Sequence, residues 1–202
     1  MHKKIFSSIL LFSSLLVLAQ PVAMKSFFSR GGYFSLSYPG NWELSSQQIP
    51  GIYFQAFSPK EGPNDRYRES VNVVIEDLNG KQVSEQQYIE ATKKNLLFNV
   101  KDYRLIKSGE IMLGGYKAYE ILYTGKLNMY NLKFRAVIVF FEKRAFVMTY
   151  SSDLISYDKF YPETNKIMSS IRLLHVAAPV VKPDSSKTTK AVAPKPKTPV
   201  KK

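Results

Sequence analysis

Cysteine is absent from this chain of 202 residues, so neither a disulfide framework nor thiol chemistry is open to it. The lipid anchor of a bacterial lipoprotein, which needs a cysteine at the cleavage point, is excluded as well. Histidine is almost missing: His2 and His175 are the two. Zinc and other metals with nitrogen or sulfur ligands need clusters of His or Cys. Ser-His-Asp and Cys-His nucleophiles need a histidine base inside the domain. Both classes fall on composition. No glycine-rich phosphate loop occurs, and no segment beyond the N-terminus is apolar enough to span a bilayer. Acidic residues are few, 16 against 29 Lys and Arg, which leaves a formal charge of +13.

That charge is unevenly placed. Lys3 and Lys4 precede an apolar run at residues 5–18, and Val17-Leu18-Ala19 supplies small residues around a cleavage point. This is the layout of a secretory signal peptide, residues 1–19, cut after Ala19 or, as a second choice, after Ala23. The run is shorter than the roughly 20 residues that an anchor helix needs. At the other end, residues 175–202 form a tail of Lys, Pro, Thr, Ala and Val that cannot build a core and reads as disordered. Lys182, Lys187, Lys190, Lys195, Lys197, Lys201 and Lys202 stand there against Asp184. The tail therefore carries +6 and the remaining folded part +5.

Between these ends lie a lead segment, 20–32, and one domain, 33–174. Phe34, Leu36 and Tyr38 alternate with serines, as in a half-buried strand. Pro39-Gly40-Asn41 turns the chain toward Trp42, its single tryptophan. Further strands are expected at 52–57, 71–75, 103–113, 116–126, 132–141 and 144–152. Gly114-Gly115 joins two of them as a two-residue hairpin. Residues 137–141 are apolar at every position, so their strand should be covered on both faces. Ser84-Glu85-Gln86-Gln87 reads as a capping box opening a helix that runs to about 97. A second helix is expected near 158–170, with Pro162 in its first turn. Seven strands, mostly linked by hairpins, and two helices make an α+β domain with a mostly antiparallel sheet.

Several blocks resemble the PsbP family, the extrinsic subunits of photosystem II and their bacterial relatives. The block from Phe34 to Trp42, FSLSYPGNW, is similar to the family's opening strand and turn. Phe57-Ser58-Pro59 with Glu69-Ser-Val-Asn-Val73 resembles its second block. Gly114-Gly-Tyr-Lys-Ala-Tyr119-Glu120 resembles its Gly-x-x-Ala-Tyr-Glu hairpin, and the helix leading into Ser169-Ser-Ile171 fits its end. The resemblance spans about residues 28–174 and implies an α/β/α sandwich with a central antiparallel sheet. Metal-linked functions of plant members rest partly on histidines that this domain lacks.

The candidate functional residues fall into three groups. Tyr53, Phe54, Phe57, Tyr67 and Tyr103 offer aromatic surface for a hydrophobic ligand or a partner segment. Glu61, Asp65 and Glu69 lie in or beside one polar loop and carry the oxygen donors that a hard cation such as calcium takes, though at no recognised spacing. The tail lysines offer an electrostatic tether to anionic lipid, wall polymer or an acidic protein. The leading expectation is an exported, monomeric, non-enzymatic accessory protein that contacts an envelope or membrane-associated partner and does not bind nucleic acid. In an oxygenic phototroph the resemblance narrows this to a lumenal photosystem II factor. A hydrophobic-ligand carrier and a carboxylate-based hydrolase are the alternatives.

Overall fold

A computed structural model describes residues 22–175. The expected signal peptide and all seven tail lysines lie outside the described residues. The strands are β1 (Met24–Phe28), β2 (Phe34–Pro39), β3 (Glu43–Leu44), β4 (Ile52–Phe57), β5 (Ser70–Asp77), β6 (Lys101–Leu113), β7 (Tyr116–Leu127), β8 (Tyr130–Phe141), β9 (Arg144–Asp153) and β10 (Arg172–Leu173). The helices are α1 (Glu85–Asn99) and α2 (Tyr157–Ser169). Seven strands form one antiparallel sheet in the order β3-β4-β5-β9-β8-β7-β6, and β1, β2 and β10 form a second.

The large sheet is the middle layer. One of its faces buries Val71, Val73, Val137, Val139, Phe146 and Met148 beneath Phe34 and Leu36 of the small sheet and Ile167 and Met168 of α2. The other buries Ile121, Tyr123, Ala136 and Ile138 beneath Ile89 of α1. In β8, successive residues 136–139 are at most 4% exposed, the two-sided coverage expected of an uninterrupted apolar strand. Val137, Ile138 and Val139 each contribute ~1.5–3 kcal/mol relative to exposure.

Local chemistry sets the connections. Ser84 Oγ accepts from the Gln87 N–H while Gln87 Oε1 accepts from the Ser84 N–H, so the capping box is formed. Gly114 and Gly115 have φ of 59° and 94°, the left-handed pair that a tight hairpin between β6 and β7 requires. A Cβ on Gly114 would meet the Ser169 carbonyl oxygen at 2.5 Å. That glycine is thus needed twice, for its backbone angle and for the approach of α2.

The architecture departs from expectation in three places. The lead segment is part of the domain: β1 pairs along β2 from Met24↔Pro39 to Phe28↔Ser35. Its Phe27 ring packs 5.0 Å from Phe54. Short β3 and β10 raise the strand count to ten, and one outer layer combines α2 with the small sheet. Pro162 sits beyond the first turn of α2, where its missing N–H costs a helix bond. The helix is held instead by tertiary contacts: Trp42 Nε1 donates to Glu163 (2.9 Å) and Arg135 to Asn165 (2.9 Å).

Candidate functional site

Three connections meet at one end of the large sheet: the β4–β5 loop (58–69), the β7–β8 turn and the β9–α2 loop. They enclose an open cleft of about 860 Å³ whose lining includes Tyr67, Met129, Tyr130, Leu154 and Ile155. Met129 is 81% exposed and Ile155 94%. These turn-tip residues find no core, so their apolar surface stays in water at the lip of the cleft. Asp153 accepts from the N–H groups of Ile155 and Ser156, both at 2.7 Å, and fixes the backbone that presents Ile155.

Tyr67 divides this cleft from a second one. The Tyr67 and Tyr130 rings lie 5.6 Å apart on one side, and the Tyr67 hydroxyl lies 2.9 Å from Ser151 Oγ on the other. The second cleft, about 690 Å³, lies over the β4, β5 and β9 part of the sheet, on the face whose β7–β8 part packs against α1. Its floor is polar. Gln55, Asn72 and Thr149 stand opposite one another on adjacent strands, and Phe57, Ser70, Ser151 and Phe134 form the next row. Lys60, Arg66 and Arg68 stand around it. Burial pushes the Tyr67 phenol above its usual value, against the bonds from Ser151 and Ser70 that lower it.

Among the described residues two carboxylates are buried, with opposite electrostatics. Glu69, 1% exposed, accepts from Ser58 Oγ (2.9 Å) and Ser152 Oγ (3.2 Å). No cation is paired with it among the described residues, and burial raises its pKa despite these bonds. Glu120 is bound by Arg135 Nε (2.6 Å) and Lys107 Nζ (2.8 Å). Burial alone would raise Glu120, but the bonds from Lys107 and Arg135 outweigh it and hold the group below the usual range.

A sequence profile of PsbP-like proteins matches residues 19–167. The chain belongs to the PsbP-like family. Solved structures of similar fold include cyanobacterial PsbP (CyanoP) from Synechocystis sp. PCC 6803, with TM-score 0.55, 12% identity and coverage of 77% of this chain and 95% of that one. PA94 from Pseudomonas aeruginosa gives 0.54 and 16%, covering 77% and 99%. LpqN of Mycobacterium tuberculosis, a protein involved in cell envelope biogenesis, gives 0.51 and 12%, covering 78% and 88%. Identities this low show the fold alone. A comparison with curated proteins finds no match.

The PsbP-like blocks of the sequence prove to be structural. Trp42 is buried and tied to α2 through Glu163, Glu120 holds the buried ion pair, and Glu69 fastens the β4–β5 loop to β9 through Ser152.

The groups proposed from sequence are divided among separate surfaces. Phe54 is 2% exposed and belongs to the core. Tyr53 packs against Tyr33 at 5.4 Å, and Tyr103 against Tyr123 at 5.3 Å beneath α1. Strand alternation separates Phe54 from Phe57, so Tyr53 and Phe54 line one cleft and Phe57 and Tyr67 another. The carboxylates also part. Glu61 pairs with Lys159, Asp65 accepts from the Glu61 and Tyr67 N–H groups, and Glu69 points into the protein. Among the described residues, no three His, Cys, Asp or Glu side chains gather as a metal site. Sequence reasoning missed the polar floor, because Ser70, Asn72, Thr149 and Ser151 read as ordinary solvent-side positions of alternating strands. It also missed Met129 and Ile155, whose signal was an apolar residue in a turn.

Proposed function

We propose that the chain is an exported, non-enzymatic accessory protein that works by contact with an envelope or membrane-associated protein. The observation that carries this reading is the pair Met129 and Ile155, almost fully exposed on adjacent connections beside an 860 Å³ cleft. Contiguous apolar surface with a polar rim suits a protein interface. The basic tail would add a weak electrostatic tether.

The test is a crosslinking pull-down from the native envelope with the unmodified chain, a form truncated after His175 and the double variant Met129→Glu/Ile155→Glu. One dominant protein, retained without the tail and lost in the double variant, is the expected result. Capture that ignores the double variant, or disappears with the tail alone, contradicts the reading.

A further inference from the structure

The second cleft has a chemistry that a protein-contact role does not require. The side chains of Gln55, Asn72 and Thr149 face one another across three strands. They make no side-chain hydrogen bond among the described residues. Adjacent strands lie about 4.8 Å apart, so the row presents donors and acceptors across roughly 10 Å of half-buried floor. The neighbouring row puts half-buried Phe57 and Phe134 at either end of Ser70 and Ser151.

The neighbouring row also carries three linked hydroxyls. Tyr67, Ser151 and Ser70 form a chain of two hydrogen bonds, each 2.9 Å. Each hydroxyl oxygen can accept as well as donate, so the chain keeps lone pairs for a further donor. Ser70 and Ser151 are each only 6% exposed.

The charge around the cleft is also unspent. Glu43 is engaged by Arg68 at 2.8 Å, and Asp65 accepts from two backbone N–H groups. Lys60 and Arg66 are exposed and have no ion-pair partner among the described residues. The two carboxylates are thus occupied, while two cations remain available beside a floor of amides and hydroxyls.

We infer that this cleft binds an anionic, hydroxyl-rich ligand, of the class of acidic saccharides or polyol phosphates. The volume, about 690 Å³, lies within the range of small-molecule sites. The ligand's hydroxyls bond Gln55, Asn72, Thr149 and the Tyr67–Ser151–Ser70 chain, and apolar ring faces lie against Phe57 and Phe134. Lys60 and Arg66 meet its acid group. Met129 and Ile155 take no part, so failure here leaves the partner surface untouched, and the reverse holds.

The test is titration of the isotope-labelled full chain, followed by amide chemical shifts, with trigalacturonate as the carboxylate probe, glycerol phosphate as the phosphate probe and maltotriose as the neutral control. One of the acidic probes is expected to move the amides of Tyr67, Asn72, Thr149 and Ser151, and which one binds identifies the acid group. Lys60→Ala/Arg66→Ala, two exposed changes, should weaken binding at least about tenfold, with weaker binding again in high salt. Thr149→Val, nearly isosteric, should weaken it without altering the fold seen by circular dichroism. The inference is overturned if neither acidic probe binds, if maltotriose binds equally well, or if the shifts are confined to residues beyond His175.

Discussion

The two buried glutamates make opposite predictions about acid and base. Glu69 has a raised pKa, chiefly through burial. The folded chain therefore holds its proton more tightly than the unfolded chain. Stability contributed through this group is full below the ordinary glutamate value and is lost as pH rises through the raised one. Glu69→Gln keeps an acceptor for Ser58 and Ser152 without the buried charge. It should raise the melting temperature at neutral pH and flatten its fall across that window, as scanned between about pH 4 and 8. An unchanged pH profile would contradict the assignment. Glu120, held low by Lys107 and Arg135 against the effect of burial, stabilises above its ordinary value and ceases to do so as pH falls through the lowered one. Glu120→Ala leaves Arg135, 4% exposed, without its carboxylate. Urea denaturation should show a loss of about 3–5 kcal/mol; a loss below about 1 kcal/mol would mean that Asn165 and Met168 suffice for the guanidinium. These roles were not legible in the sequence. Glu69 stood in a polar loop beside Asp65, and only the pairing of β5 with β9 shows that its side chain turns away from solvent.

Individual elements were legible to differing degrees, and the differences have physical causes. The capping box at Ser84, the Gly114-Gly115 hairpin and the apolar run of β8 are local signals, and each appears where its residues place it. β1, β3 and β10 are not local. Met24–Phe28 is exposed except at Phe27 and becomes a strand through its pairing with β2. β3 and β10 are two residues each, too short for any period to show. The hairpin glycines provide a test at this scale. Gly115→Ala meets open space and should lose only about 1 kcal/mol from its left-handed backbone. Gly114→Ala carries the same backbone strain and also drives a Cβ against Ser169, so it should lose clearly more and loosen α2. Equal losses in paired thermal melts would show that α2 does not depend on this approach. Removing the Ser84 hydroxyl by Ser84→Ala should cost ~1 kcal/mol of α1 stability, read as faster amide exchange in the first turn of the helix.

At the scale of the molecule, a covered sheet leaves two areas open: an apolar lip built from turns and a polar floor where one face of the sheet extends beyond the α1 packing. The fold class and family were readable from Tyr38-Pro-Gly-Asn-Trp42 and the blocks that follow it, because these residues serve the architecture. The candidate site was not, because its residues gather from β4, β5, β9 and three connections, and no one of them is unusual in its own strand or turn. The expected aromatic surface is divided for a related reason: alternation sends Phe54 and Phe57 to opposite faces. The central claim is that the end of the sheet bearing Met129 and Ile155 is where a partner docks. A photocrosslinking residue in place of Ile155, compared with the same residue in place of exposed Gln86 on α1, tests this in the native envelope. The account predicts one discrete crosslinked protein from position 155 and none from position 86. Equal labelling from both positions, or no discrete product from position 155, would contradict it.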